Sequence, residues 1–252
     1  MTNYEVFKGL HYEEEPLLLG NAWDVQSAAL SVQTGYKAVA TSSSAIANIL
    51  GSEDGENISF SELLFIVERI AKNIQLPLTV DIESGYSENV SQVIANIEAL
   101  CDIGVAGINL EDAVKKQLIP ATAFMAKLAA IKEGLAKKGK QIFINARTDA
   151  FLLKQPNALD ETLARIKLYE SFADSIFVPF ATEDSDIKTI TAATKLPVNI
   201  LAVASLTSID KLKELGVKRI SMGGGLFRSA YKHAGSLLEQ IKSQRTLQPL
   251  FA

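Results

Sequence analysis

The sequence predicts an α/β protein and, within that class, a closed (β/α)8 TIM barrel. Three observations lead there. Strand-length apolar runs recur eight times along 252 residues. Amphipathic stretches at helical spacing separate them. Several runs break at their C-terminal ends into carboxylates, amides or hydroxyls, the end at which barrels carry chemistry. Alternating strands and helices call for a parallel sheet with helices outside. Eight repeats fit a closed ring better than an open doubly wound sheet, which is the fallback. No Gly-x-Gly-x-x-Gly turn follows the first run, so the dinucleotide-binding form of that fallback loses support. No linker or composition shift interrupts the pattern, which predicts a single domain over residues 1–252.

The predicted strands are Leu17–Leu19, Ala38–Ala40, Leu78–Val80, Ala106–Ile108, Ile142–Ile144, Ser175–Val178, Val198–Leu201 and Arg219–Met222. Between them, Ser61–Asn73 places Leu63, Leu64, Ile66, Val67 and Ile70 at helical spacing, with Ser59 or Ser61 as its cap and Glu62 in the first turn. Gln92–Cys101, Ala121–Ala136, Leu159–Phe172 and Ile209–Leu215 read the same way. Gly- or Pro-marked turns such as Gly35-Tyr36, Leu76-Pro77 and Leu215-Gly216 stop several helices before the next strand.

Composition excludes some function classes. The chain is 48% hydrophobic and 21% charged, ample for a large core. A net charge of -4 gives no basic field for nucleic acid. The apolar runs are too short to span a membrane, and the N-terminus lacks a signal-peptide pattern. The single Cys101 cannot form an internal disulfide, which predicts a reduced, cytoplasmic setting, and its helical neighbours make it a packed core thiol. His11 and His233 lie away from every predicted strand end and read as packing or surface residues.

The strand ends carry the candidate site. Val80-Asp81-Ile82-Glu83 places two carboxylates at alternate positions, so on a strand both face one mouth. Glu111, after the next run, completes a three-carboxylate cluster, which repels itself unless a cation or strong donors balance it. All-oxygen ligation favours a hard ion, foremost Mg²⁺, with Mn²⁺ as a substitute. Arg147, two residues after Asn145, offers a guanidinium fork for a carboxylate or phosphonate, or else a structural ion pair with Asp81 or Glu111. Ser42-Ser43-Ser44 open a short helix and serve either an anion or an N-cap. The polar stretch Gly51–Asn57 is either a lid, making Asp54 an acid, base or water-orienting group, or a plain exposed loop. Gly223-Gly224-Gly225 suits a phosphate site or only a tight turn.

Together these pieces resemble the isocitrate lyase/phosphoenolpyruvate mutase superfamily. The resemblance runs from about Leu17 to about Arg228 and rests on Asn21-Ala22-Trp23-Asp24, Ala40–Ala45, Asp54-Gly55-Glu56, Asp81–Tyr86, Asn109–Asp112 and Asn145–Asp149. It implies roles. Asp81 is the direct magnesium ligand, and Glu83 and Glu111 hold the ion's waters. Ser43 and Ser44 are backbone donors to the substrate's carboxylate and 2-oxo oxygen, Arg147 is the carboxylate clamp, and Asp54 is the acid of the gating loop. The implied chemistry is cleavage of a C–C bond in a small 2-oxo or 2-hydroxy acid through a magnesium-stabilised enolate. The implied assembly is a homotetramer, a dimer of dimers that exchange a C-terminal helix, here including Ser236–Gln244. Two departures narrow the reading. The Lys-Lys-Cys-Gly-His loop of the isocitrate and methylisocitrate lyases is missing, and so is the mutases' Asn-Ser pair, since Ala113-Val114-Lys115-Lys116-Gln117-Leu118-Ile119 follows Glu111-Asp112. Phosphoenolpyruvate mutase or phosphonopyruvate hydrolase-type P–C chemistry is the alternative. Further rivals are a Schiff-base aldolase, which lacks a strand-end lysine, and a non-catalytic oxo-acid binding protein, which would not need Asp54.

Overall fold

The computed structural model describes residues 1–251. Helix α1 (Asn3–Leu10) precedes the first strand, which is interrupted at Leu19 into β1 (Leu17–Leu18) and β2 (Gly20–Ala22). The chain continues through α2 (Val25–Gln33), β3 (Val39–Thr41), α3 (Ser43–Ile49), α4 (Phe60–Asn73), β4 (Leu78–Asp81), α5 (Val90–Asp102) and β5 (Gly107–Glu111). A small antiparallel hairpin, β6 (Ala113–Val114) and β7 (Gln117–Leu118), comes before α6 (Ala121–Lys137) and β8 (Phe143–Arg147). Then follow α7 (Ala158–Tyr169), β9 (Ser175–Val178), α8 (Asp184–Ala192), β10 (Val198–Leu201), α9 (Ile209–Glu214), β11 (Arg219–Ser221) and α10 (Gly225–Gln244).

All pairings in the large sheet are parallel. The interrupted first strand closes the ring. Leu17 and Leu18 pair with Arg219 and Ile220 of the last strand, while Gly20–Ala22 pair with Val39–Thr41. The predicted eight-stranded barrel is therefore present, its first strand reaching Ala22 rather than stopping at Leu19.

Helix starts follow local capping chemistry. Ser59, not Ser61, caps α4: its hydroxyl accepts from Glu62 N–H, and Glu62 reaches back to Ser59 N–H. The same reciprocal box starts α1 at Thr2 and Glu5. The five amphipathic helices foreseen, α4, α5, α6, α7 and the short α9, lie where periodicity placed them, within three residues at each end. Helices α1, α2 and α8 escaped the sequence reading. In α8 only Ile187 and Ile190 are buried, too few to set a period.

The main core lies between strands and helices, with Leu63, Val67 and Ile70 of α4 fully buried against it. A second cluster fills the N-terminal end of the barrel: Phe7 of α1 packs with Leu17, Leu19, Ala38, Ala40, Ala106 and Phe143. Burying Phe7 contributes roughly 2–3 kcal/mol. Gly107 makes room for it, since a Cβ there would lie 2.7 Å from the Phe7 ring. His11 is fully buried, stacks on Phe143 at 4.2 Å and bonds Phe7 O through Nδ1. Burial, aided by the charge of Arg219, holds His11 down at about 3, so it is a neutral packing residue. One end of the barrel is thus plugged with apolar side chains, and chemistry is left to the other.

Candidate active site

The carboxylates come from neighbouring strands. Asp81 is the last residue of β4 and pairs with Asn109; Glu111 is the last residue of β5 and pairs with Arg147 at the end of β8. Parallel register at the C-terminal ends therefore brings Asp81, Glu111 and Arg147 to one rim. Glu83 joins them by a different route from the one its sequence position suggests. The strand stops at Asp81, so strand alternation does not aim Glu83. It sits in the left-handed region (φ 49), with its backbone carbonyl accepting from Glu111 N–H at 2.8 Å. A left-handed non-glycine residue is strained and needs neighbours to hold it. Tyr86, also left-handed, donates its hydroxyl to Glu83 Oε1 at 3.3 Å.

Arg147 is engaged twice. Its Nε and Nη2 donate to the two oxygens of Asp149 at 2.6 and 2.9 Å, and its Nη1 lies 2.8 Å from Glu111 Oε2. Of the five N–H groups of a guanidinium, two stay free to receive a ligand. Its carbon also lies 5.8 Å from the Phe177 ring centre, within cation–π reach. Of the two structural pairings foreseen for Arg147, Glu111 is the one formed; Asp149 was missed as a partner.

Asn145, expected beside Arg147 at the mouth, is fully buried one layer down. It donates to Asn109 Oδ1 (2.9 Å) and accepts from Ser175 Oγ (2.6 Å). The same Asn109 oxygen accepts from Nη2 of Arg219, a fully buried arginine on β11 that the sequence reading took as an ordinary strand residue. Burial lowers Arg219 to about 9, opposed by the charge of Asp81. The signal for it was an arginine opening a strand-length run, Arg219-Ile220-Ser221-Met222.

Ser42 is the N-cap of α3, accepting from Ala45 N–H, the second of the two roles foreseen for this turn. Ser43 Oγ donates to Asp81 Oδ2 at 3.3 Å, and Ser44 Oγ lies 3.2 Å from Ser42 Oγ. Asp54 is exposed in the loop between α3 and α4, yet its charge reaches the mouth and raises both Asp81 and Glu83. Gly223 has φ 50 and Gly225 opens α10. A Cβ on Gly224 would meet Ser44 Oγ and Arg228 Nη1, each at 2.8 Å, so the glycines at least permit a close turn over the serines.

The electrostatics of the rim run against it. Burial pushes Asp81 up, with Arg147 pulling the other way. Burial raises Glu83 to about 8, helped by Asp81, Asp54 and Glu56, and raises Glu111 well above the ordinary range despite Arg147. Burial alone would depress Arg147, but Glu111, Asp149 and Asp81 more than reverse it. Cys101 is half-buried on α5 and raised to about 11 by burial, an inert thiol far from thiolate chemistry.

A closed barrel with a carboxylate-rich mouth at its C-terminal rim is the layout of a barrel enzyme. The chain belongs to the phosphoenolpyruvate phosphomutase family, whose profile matches residues 7–242. An uncharacterized protein of Mycobacterium tuberculosis H37Rv is 33% identical over 89% of this chain and 86% of its own length. The chloroplastic carboxyvinyl-carboxyphosphonate phosphorylmutase of Arabidopsis thaliana is 30% identical, covering 83% of this chain and 66% of that protein. The oxaloacetate decarboxylase of Paraburkholderia xenovorans is 27% identical over 91% and 79%. Among solved structures, a protein assigned as a phosphonomutase from Burkholderia cenocepacia J2315 superposes with a TM-score of 0.90 at 36% identity, over 94% of this chain and 99% of that one. Phosphonopyruvate hydrolase bound to oxalate and Mg²⁺ shares the fold at a TM-score of 0.86 and 21% identity, over 98% and 89%.

Proposed function

We propose that this protein is a magnesium-dependent lyase or hydrolase that cleaves a C–C bond in a small 2-oxo or 2-hydroxy carboxylic acid. The observation that carries the reading is the charge balance of the rim. Asp81, Glu83, Glu111 and Asp149 act on one another at the rim, and Asp54 and Glu56 add to their charge, with Arg147 beside them, Arg219 beneath and Lys127 near Glu111. Six carboxylates against three cations leave an excess of negative charge that a divalent cation would offset. Burial raises three of these carboxyls, so the empty rim disfavours their ionised forms and a bound cation would favour them.

The donor set is all oxygen, which suits Mg²⁺ and accommodates Mn²⁺. Among the described residues no three His, Cys, Asp or Glu side chains are grouped for direct ligation. On this reading Asp81 would be the direct ligand, with Glu83 and Glu111 holding the ion through water, as Mg²⁺ commonly retains several waters. When bound, the ion would polarise the substrate's 2-oxo oxygen and stabilise the charge of an enolate. This chain's own residues supply the rest. The two free N–H groups of Arg147 orient the substrate carboxylate. The backbone N–H groups of Ser43 and Ser44 at the start of α3 receive oxyanion charge. Asp54, on its loop, moves the proton.

The relatives support carbon–carbon cleavage through an oxaloacetate decarboxylase and through the 2-methylisocitrate lyase of Escherichia coli, 24% identical over 96% of this chain. The phosphonomutase neighbour and the family's own description favour the second reading, P–C bond chemistry at the same rim. A turnover panel with Mg²⁺ separates the two: oxaloacetate, substituted malates, methylisocitrate and phosphonopyruvate, with products identified. Turnover of phosphonopyruvate alone would replace the main reading. Stabilisation by these acids without any turnover would replace both with a binding protein.

The same reading takes residues 1–252 as one barrel domain and the assembly as a homotetramer exchanging C-terminal helices. Its support is α10, twenty residues with none buried, and the exposed Leu226, Tyr231, Leu238, Leu247, Leu250 and Phe251 on and beyond it. Among the described residues, no helix is long and apolar enough to cross a membrane. A cytoplasmic setting rests on the lone cysteine.

A further inference from the structure

The loop that carries Asp54 is tied to the metal-side segment by one carboxylate. Glu56 Oε1 accepts from Ser84 Oγ and from Tyr86 N–H, each at 2.8 Å. The loop's side chain thus holds the segment at Ser84 and Tyr86. Among the described residues, the other hydrogen bonds of residues 51–57 stay local. Asn57 Nδ2 reaches Glu53 O and Asp54 O, and Ser52 N–H reaches Ala47 O.

Both sides of the link are strained. Glu56, Glu83 and Tyr86 all have left-handed backbone, at φ 59, 49 and 59. Such conformations persist where surrounding contacts over-determine them; the two Glu56 bonds are among those contacts, beside Glu111 N–H on Glu83 O and Asn96 on Gly85 O. Lys127 adds a cation on the far side, donating to Ser84 O and lying near Glu56 and Glu111. The Phe60 ring, at the loop's exit, meets the Tyr86 ring at 5.9 Å.

We propose that Glu56 is a positioning residue, a latch that clamps the Asp54 loop onto Glu83–Tyr86 so that loop closure and metal occupancy stabilise each other. The coupling half rests on the metal reading above; the latch itself does not. Coupling of this kind is reciprocal: whatever factor the metal adds to loop closure, closure adds to metal affinity.

The test is amide hydrogen exchange over residues 51–58 of the full chain, with and without Mg²⁺, in wild type, Glu56→Ala and Glu56→Gln, beside Mg²⁺ titration calorimetry. Losing two charge-assisted hydrogen bonds should speed metal-free exchange of the loop about ten-fold or more in Glu56→Ala, with the thermal midpoint close to wild type. Glu56→Gln keeps an acceptor oxygen and should fall between the two. In wild type, Mg²⁺ should slow the loop's exchange further, and Glu56→Ala should lose that protection while binding Mg²⁺ correspondingly more weakly. Loop exchange in Glu56→Ala equal to wild type overturns the latch. A loosened loop with unchanged Mg²⁺ affinity overturns the coupling. Wild type that binds no Mg²⁺ sinks the metal reading and the coupling with it, while the metal-free exchange rates still decide the latch.

Discussion

Two arginines, Arg165 buried and Arg147 half-buried, stand at neighbouring places in the barrel and do different work. Arg165 on α7 uses every nitrogen: Nε to Glu161, Nη1 to Asp112 and the Tyr169 hydroxyl, Nη2 to Ile119 O. Its partner Asp112 is fully buried and also accepts from Tyr169 and from Asp149 N–H. Arg147, at the rim, is nearly as well paired but has free N–H groups, and past its partners lie Asp81 and Glu83, which among the described residues form no salt bridge. Burial is common to both clusters, so burial does not mark the functional one. Unbalanced charge and unused donors do. Glu111 and Asp112 make the point within one dipeptide: at the end of β5 one faces the rim and the other the helices.

The comparison breaks most sharply at Asp81. Asp81→Ala should abolish Mg²⁺ binding and lower kcat by about 10³-fold or more, while the metal-free fold is kept or stabilised because one repelling carboxylate is gone. Calorimetric titration that finds unchanged Mg²⁺ binding in the variant would place the metal elsewhere. The opposite outcome is expected at Asp112. Stranding Arg165 by Asp112→Ala should cost about 3–5 kcal/mol of stability, and the protein that still folds should bind Mg²⁺ as wild type does. Chemical denaturation beside titration checks both halves; weakened metal binding at full folding would merge the two clusters into one functional unit.

A smaller effect is expected at Asp54. Asp54→Asn removes proton chemistry but leaves the Arg147 contacts, so kcat should drop about 10²-fold with little change in the Kd of an oxalate-like inhibitor. Equal losses in both would make Asp54 a binding group. The smallest effect is a pH slope. Glu83 is raised to about 8, so the metal-free native state holds a proton that the unfolded chain has released above its ordinary carboxyl range. The native state then binds more protons than the unfolded state, and stability falls as pH rises toward 8. Neutral His11 acts oppositely, its contribution being lost as pH falls below about 6.5. Melting points from pH 6.5 to 8 should therefore decline without metal and flatten with saturating Mg²⁺. A flat metal-free profile would show that the rim carboxylates are balanced already.

Much of this was legible in the chain. Apolar runs fixed the strands, and the carboxylates, amides and serines that end them fixed the rim, because side-chain alternation and strand termination are local properties. The four-residue signature Ser59-x-x-Glu62 marked a helix start for the same reason. Helices with few apolar residues, such as α8, left no period to read, and Asn145 kept the correct face but belonged to a lower layer.

By itself, then, the sequence determined the barrel, the rim residues and the oxygen-rich character of the site, since each follows from the order of apolar and polar residues along one strand. Only the tertiary structure decided how those residues are used. The Glu111 pairing of Arg147, the buried Arg219 reaching across to Asn109, and the Glu56 link to Tyr86 all join elements far apart in the chain. Which groups meet across a closed ring depends on closure and register, and burial then sets the charge each can carry. Neither quantity exists until the ring has formed.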